Sequence, residues 1–200
     1  MRKLPLMFLL VCLFFVSAQV LAVPPTKFSV DVNHSTVGFT IPILNGVSSV
    51  RGKFTEFAVD VDYDEADITK STVTAKIKAA SIDTGVEGRD KHLRNPDFFD
   101  VEKYPEITFQ STRIVKKGKG FVAIGNFTMH GVTKEISIPF TVNGKFVNPT
   151  NQATLIGFTG NVSINRRDYG INWQHSSIQN WVGDVVKIEL TVLLRAARPQ

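Results

Sequence analysis

The chain has 200 residues, with 23 Lys and Arg against 18 Asp and Glu, four His and a single Cys, for a formal net charge of +5. So mild a basic excess is not the signature of a nucleic-acid-binding protein, and one cysteine excludes an internal disulfide framework or a cysteine-rich zinc cluster. The length suits one domain with a sizeable core.

Residues 1–22 begin with Arg2 and Lys3, continue through an apolar run over 4–16, and end on Val20, Leu21 and Ala22. This is the pattern of a secretory signal peptide cleaved after Ala22, which leaves residues 23–200 as the domain. A membrane anchor is the competing reading, but the run falls short of the roughly 20 apolar residues a span requires. Cys12 lies in the leader and follows Val11, where a lipid-attached cysteine would follow a small residue, so the mature protein is expected to contain no cysteine. Loss of Arg2 and Lys3 leaves 21 basic against 18 acidic residues, a net +3, and loss of Phe8, Phe14 and Phe15 leaves 12 of the 15 Phe. Such Phe enrichment suits a wide apolar interior.

From Lys27 onward the dominant period is two, the strand signal. In residues 73–79 Val73, Ala75, Ile77 and Ala79 alternate with Thr74, Lys76 and Lys78, giving one dry face and one wet face. The same pattern recurs in Ile136, Ile138, Phe140 and Val142, then in Ile156, Phe158, Val162 and Ile164 with Gly160 interrupting, and finally in Val186, Ile188, Leu190, Val192 and Leu194. Turn signals stand at Lys117-Gly118-Lys119-Gly120, His130-Gly131, Asn143-Gly144 and Gly183-Asp184. These features predict an all-β fold of about eight strands in an antiparallel meander. A sandwich would also fit; a barrel is preferred because consecutive one-faced strands can close and remove their edges. An eight-stranded barrel is wide enough for one small ligand.

The stretch EGRDKHLRNPDFFDVEKYPEITFQST, residues 87–112, departs from this pattern. Glu87, Arg89, Asp90, Lys91 and His92 open a short helical insertion near residues 87–95, and Pro96 stops it. Phe98 and Phe99 follow, then a strand through Ile107 and Phe109. The simplest picture is a charged lid over an apolar interior.

Five segments, in their order and spacing, carry a family resemblance: KFSVDVNHSTVGF with SSVRGKF soon after, GRDKHLRNPDFFDVEKYPEITFQST, GNFTMHGVTKEISIPF, INRRDYGI and VGDVVKIELTV. Across essentially the whole mature chain the sequence resembles the YceI-like polyisoprenoid-binding family of secreted bacterial proteins. It departs from the family where members often carry His-Leu-Gly after the second strand; here Ile41-Pro42-Ile43-Leu44-Asn45-Gly46 stands instead. The resemblance implies a periplasmic, lipocalin-like barrel whose interior holds a polyisoprenoid lipid or an isoprenoid quinone, with no other cofactor and no metal, and with a homodimer among its possible states. Burial of one five-carbon unit is worth roughly 3–4 kcal/mol relative to water, so a long tail would pass the practical affinity ceiling. Such a ligand therefore exchanges between two apolar phases, membrane and protein, and tail length and head group set specificity.

The residues expected to meet the ligand are Phe39, Phe54, Ile77, Phe109, Phe127, Phe140 and Phe158 inside the barrel and Phe98 and Phe99 beneath the lid. Arg89, Lys91, His92 and Arg94 are the candidates for a phosphate or quinone carbonyl; with Glu87, Asp90 and Asp97 among them, a self-neutralising solvated cap is the alternative. Arg166, Arg167 and Asp168 read as a strand end with an internal ion pair. Trp173 and Trp181 flank a polar loop that forms part of a barrel mouth or touches a membrane interface transiently, with a plain packing role as the alternative. The spacing of His34, His92, His130 and His175 places no two on one site, and neither a nucleophile elbow nor a phosphate-cradling glycine loop is present. Asp90 with His92 is the only candidate acid–base pair, so a binding protein rather than an enzyme is expected. Two alternatives stay open: an envelope stress-response interaction module whose pocket is vestigial, and an enzyme acting on an isoprenoid lipid.

Overall fold

The computed structural model describes residues 25–196, so the leader expected over residues 1–22 lies outside the described part. Apolar–polar alternation becomes strand. In β5 (Thr72–Lys78) Val73, Ala75 and Ile77 turn inward while Thr72, Thr74, Lys76 and Lys78 face water. β11 (Val185–Ala196) does the same with Val186, Ile188, Leu190 and Val192. Between them β7 (Glu106–Lys117), β8 (Gly120–Met129), β9 (Val132–Val147) and β10 (Thr154–Asn165) form an antiparallel meander.

The other two wall strands are each broken in two. β1 (Thr26–Val30) and β2 (Thr36–Ile43) lie end to end along one edge of β11, β1 beside residues 194–196 and β2 beside 187–191. Residues 31–35 bulge out between them, pinned where Asp31 N–H donates to Leu193 O (2.8 Å) and Leu193 N–H donates to Ser35 Oγ (2.9 Å). β3 (Ser48–Phe54) and β4 (Phe57–Tyr63) follow β2 and β1 in the same way. With each broken strand counted once, the wall is a closed antiparallel barrel of eight strands, sealed where β1 meets β11. The two-residue β6 (Ile82–Asp83) pairs with β3, and the single helix α1 (Glu87–Arg94) follows it. The predicted architecture is the observed one.

Turns 44–47 and 130–131 and the long connections 79–105 and 166–184 meet at one end, the upper end; connections 64–71, 118–119 and 148–153 form the lower end. His130 and Gly131 both take left-handed backbone conformations (φ 51° and 75°) in a tight hairpin, as their dipeptide signals. Asn143-Gly144 does not turn the chain. It lies inside β9, beside the register shift at Gly157/Phe158, and Thr159 Oγ1 donates to Asn143 Oδ1 (3.0 Å). A glycine in a strand marks a bulge as readily as a hairpin, and the true reversal falls at residues 148–153. Phe28, Val61, Tyr63, Ile156 and Leu194 pack the lower end, and a larger cluster that includes Phe54, Ile82, Phe98 and Ile107 lies beneath α1.

One close approach sets a test. At the β7–β8 bulge, a Cβ on Gly125 would overlap the Gln110 carbonyl and stand 2.6 Å from Ser111 Cα, both backbone atoms that cannot swing aside. Gly125→Ala is expected to cost about 2 kcal/mol and lower Tm by roughly 4–8 °C, whereas exposed Asn126→Ala stays near neutral. Thermal unfolding followed by circular dichroism checks this, and an unchanged Tm for Gly125→Ala would show that the two strands do not approach so closely.

Candidate functional site

α1 stands where it does because its charged side chains clip it to the chain around β6. Asp90, buried, accepts from Thr84 N–H (3.0 Å) and from the Thr84 hydroxyl. Arg89 Nε donates to Thr84 Oγ1 (2.7 Å) and its Nη2 to Thr84 O (3.0 Å). Arg94 reaches further back, Nε to Ala80 O (2.7 Å) and Nη2 to Ile82 O (2.8 Å). After Pro96 the chain folds under the helix: Phe99 N–H donates to Leu93 O and Val101 N–H to Arg94 O. Phe98 is thereby buried and Phe99 meets the edge of Phe54 with centroids 5.9 Å apart.

A cavity of about 520 Å³ runs the length of the barrel beneath this lid, from Ile41, Ile43 and Trp181 at the upper end to Tyr63, Ile68 and Leu194 at the lower. Phe39, Phe54 and Ile77 are on its wall, as are Phe109, Phe127, Phe140 and Phe158. Phe98 and Phe99 form its roof together with Arg89 and His92. Arg94 is not on the wall, because its guanidinium is committed to two carbonyls, and Lys91 is exposed on the far side of the helix. The structure thus brings together the expected residues except Lys91 and Arg94.

The wall is almost wholly apolar. Its titratable members are Tyr63, whose phenol burial pushes up, Arg89, His92 and Arg166. Arg166 is only 3% exposed and is the residue that sequence reading placed least well. Its guanidinium donates to Ile171 O (2.7 Å), Gly183 O (2.9 Å) and Asp184 Oδ1 (3.1 Å), so it holds both ends of the loop at the mouth. Desolvation lowers its pKa while Asp184 opposes the shift, and an arginine stays charged throughout. The ion pair expected inside Arg166-Arg167-Asp168 does not form. Both arginines turn to Asp184 (3.1 and 2.7 Å), and Asp168 faces Lys134 (3.5 Å). Adjacent side chains on a 3-10 turn point apart, whereas the loop returns Asp184 beside both.

The Asp90–His92 acid–base pair is not assembled either. Residues two apart on a helix face different sides; Asp90 binds Thr84, and His92 Nε2 pairs with Asp97 (2.8 Å). His92 and His175, distant in sequence, both stand edge-on to Trp173 (5.4 and 6.3 Å between centroids), and His175 lies against Trp181 (5.0 Å). Two histidines therefore do share one site, which no sequence spacing signals. With Phe98, 5.3 Å from Trp173, they form an aromatic belt between lid and loop. Among the described residues no group of three or more His, Cys, Asp or Glu could hold a metal ion.

The sequence model of the YceI-like domain matches residues 28–194, which span the barrel from β1 to β11. The chain belongs to the YceI-like family. A UPF0312 protein of Staphylococcus epidermidis is 39% identical over 151 residues, 76% of this chain and 85% of that relative. Among solved structures, BcnA of Burkholderia cenocepacia shares the fold with a TM-score of 0.73 at 24% identity, over 82% of this chain and 98% of that one. A domain from Saccharophagus degradans, described as a polyisoprenoid binding domain implicated in plant cell wall breakdown, has a TM-score of 0.63 at 14% identity, over 86% of this chain and 99% of that one. Within the family architecture Arg166 is the clamp of the upper loop in this chain.

Arg166→Met would leave the Ile171 and Gly183 carbonyls without their donor, at an expected cost of about 3 kcal/mol in urea unfolding. Arg167→Ala removes a half-exposed pair and should cost less than about 1 kcal/mol. Equal losses from the two substitutions would show that the buried guanidinium is not the clamp.

Proposed function

We propose that this protein is a periplasmic binding or carrier protein that holds a polyisoprenoid lipid or an isoprenoid quinone inside the barrel. The observation that carries the reading is the apolar cavity of about 520 Å³, which lies in the size range of ligand pockets. A cavity of about 150 Å³ admits benzene's six carbons, so this one accommodates on the order of twenty, about four isoprene units. The family supports the reading, as does the Saccharophagus domain of the same fold, described as polyisoprenoid-binding. The secretory leader read over residues 1–22 supports the compartment.

Binding without turnover fits the chemistry of the wall. Arg89 and Arg166 are each bonded to the protein through two or more donors, and the acid–base pair an enzyme would have used is split between two partners. A barrel filled by bulky side chains would have supported the interaction module with a vestigial pocket, and the cavity is open instead. At the mouth Trp173, Trp181 and the exposed Ile178 suit brief contact with a membrane during exchange.

Ala75→Phe puts a ring into the cavity from the middle of β5. It is expected to weaken binding of the C20 alcohol geranylgeraniol at least ten-fold while Tm holds or rises, because the added ring fills empty apolar space. Fluorescence titration with a thermal melt reads both. Unchanged affinity in a folded variant would place the ligand elsewhere, and an absence of any prenyl binding by the wild type, together with a ligand-free native mass, would defeat the carrier reading.

A further inference from the structure

We propose that the outer face of the barrel carries a second subsite, at the foot of an unpaired seam between β9 and β10, which takes the anionic head of an amphiphile whose apolar chain lies in the barrel. This rests on the binding reading above and adds the place and chemistry of the head.

Main-chain pairing between β9 and β10 runs from Val147↔Thr154 to Phe140↔Gly160 and stops. Each strand stays bonded to its other neighbour, β9 to β8 as far as Val132 and β10 to β11 as far as Asn165. Residues 132–139 and 161–165 thus present two edges to each other without a ladder. The seam is closed above, where His130 Nδ1 and Tyr169 O lie 3.0 Å apart and Lys134 pairs with Asp168. Ile136, Ile138, Val162 and Ile164 stand along its lips and line the main cavity. An unpaired edge is a place where a sheet can part.

At the foot of this slot lies a second cavity of about 330 Å³, and Phe140, Thr159 and Gly160 line both it and the interior. Its exposed members are Pro139 and the polar Lys117, Thr141, Thr159 and Asn161. Lys117 enters none of the ion pairs among the described residues. At the mouth the opposite holds, since the guanidinium groups of Arg89 and Arg166 are bonded to the protein itself. The Thr159 hydroxyl is spent on Asn143, but an ammonium beside the Thr141 hydroxyl and the Asn161 amide suits a phosphate or carboxylate, and an apolar chain from it has the slot directly above.

Geranylgeranyl monophosphate and geranylgeraniol share one tail and differ in the head. In titrations of the wild type and Lys117→Gln, the substitution is expected to weaken the phosphate about five-fold, less at high salt, and the alcohol less than two-fold. In the chain from residue 23 onward, which has no cysteine of its own, Ser137→Cys and Ser163→Cys face each other if the register of Phe140↔Gly160 continues, and bridging them with a short bis-maleimide should slow phosphate uptake at least ten-fold. A phosphate affinity indifferent to Lys117, equal losses for both probes, or uptake unaffected by the bridge would overturn the subsite while leaving the cavity reading intact. Competition by inorganic phosphate alone at equal potency would reassign the cleft to a free anion and overturn it too. If the alcohol does not bind the wild type, the cavity reading fails and the subsite falls with it.

Discussion

Phe28, Ser29 and Val30 of β1 pair with Ala196, Arg195 and Leu194 of β11, and this short ladder closes the ring. Closure decides what the inside can be. The radius of a barrel is set by strand number and stagger, and each ladder holds its strands close to 4.8 Å apart. In a helical protein, unfilled core volume is relieved as elements move closer. Here the wall cannot move inward without breaking main-chain hydrogen bonds, so the volume its side chains leave stays open. The aromatic residues crowd the two ends instead: Tyr63 with Phe28 and Phe158 below, Phe54 with Phe99 and Phe98 with Trp173 above. The cavity is thus a consequence of hydrogen-bond topology rather than of any one residue.

A dry wall also governs the charged residues around it. A guanidinium facing hydrocarbon without partners would carry a heavy desolvation cost. Arg89, Arg94 and Arg166 avoid it by turning onto backbone carbonyls, and their carbonyl partners lie in the segments that close the upper end. Charge that reads as a binding determinant becomes the fastening of the lid and the mouth loop. Beside the bonded Arg89, the lid faces the cavity with Phe98, Phe99, Leu93 and the His92 ring.

Patterns confined to one element were legible in the sequence. The alternation in β5 and β11 gives their direction of burial outright, the Asn95-Pro96 stop falls within a residue of where α1 ends, and the Phe98–Phe99 pair lies on the roof. What escaped were relations between elements. Nothing local in residues 31–35 reveals that β1 and β2 share one edge of β11. Asn143-Gly144 has hairpin chemistry but sits where two long strands merely change register. Asp184 lies 18 residues from Arg166, and His175 lies 83 from His92; both pairs are made by the return of the mouth loop, a tertiary event with no period.

Under the proposed function, a prenyl chain passing from bilayer to barrel would exchange one apolar surrounding for another, so the roughly 0.8 kcal/mol per methylene that burial gives against water would largely cancel. The barrel must then differ from the bilayer in something other than apolarity, and it differs in having a fixed length and a fixed end. Tyr63, Phe158 and Phe28 close the lower end with interlocked rings. A chain that stops short leaves apolar wall facing void and forfeits dispersion contacts, whereas a longer one extends past the aromatic belt of Trp173, His175 and Trp181 into the mouth. On that reading, selection by length would follow from a container of finite depth, and it would need no residue dedicated to recognising an isoprene unit.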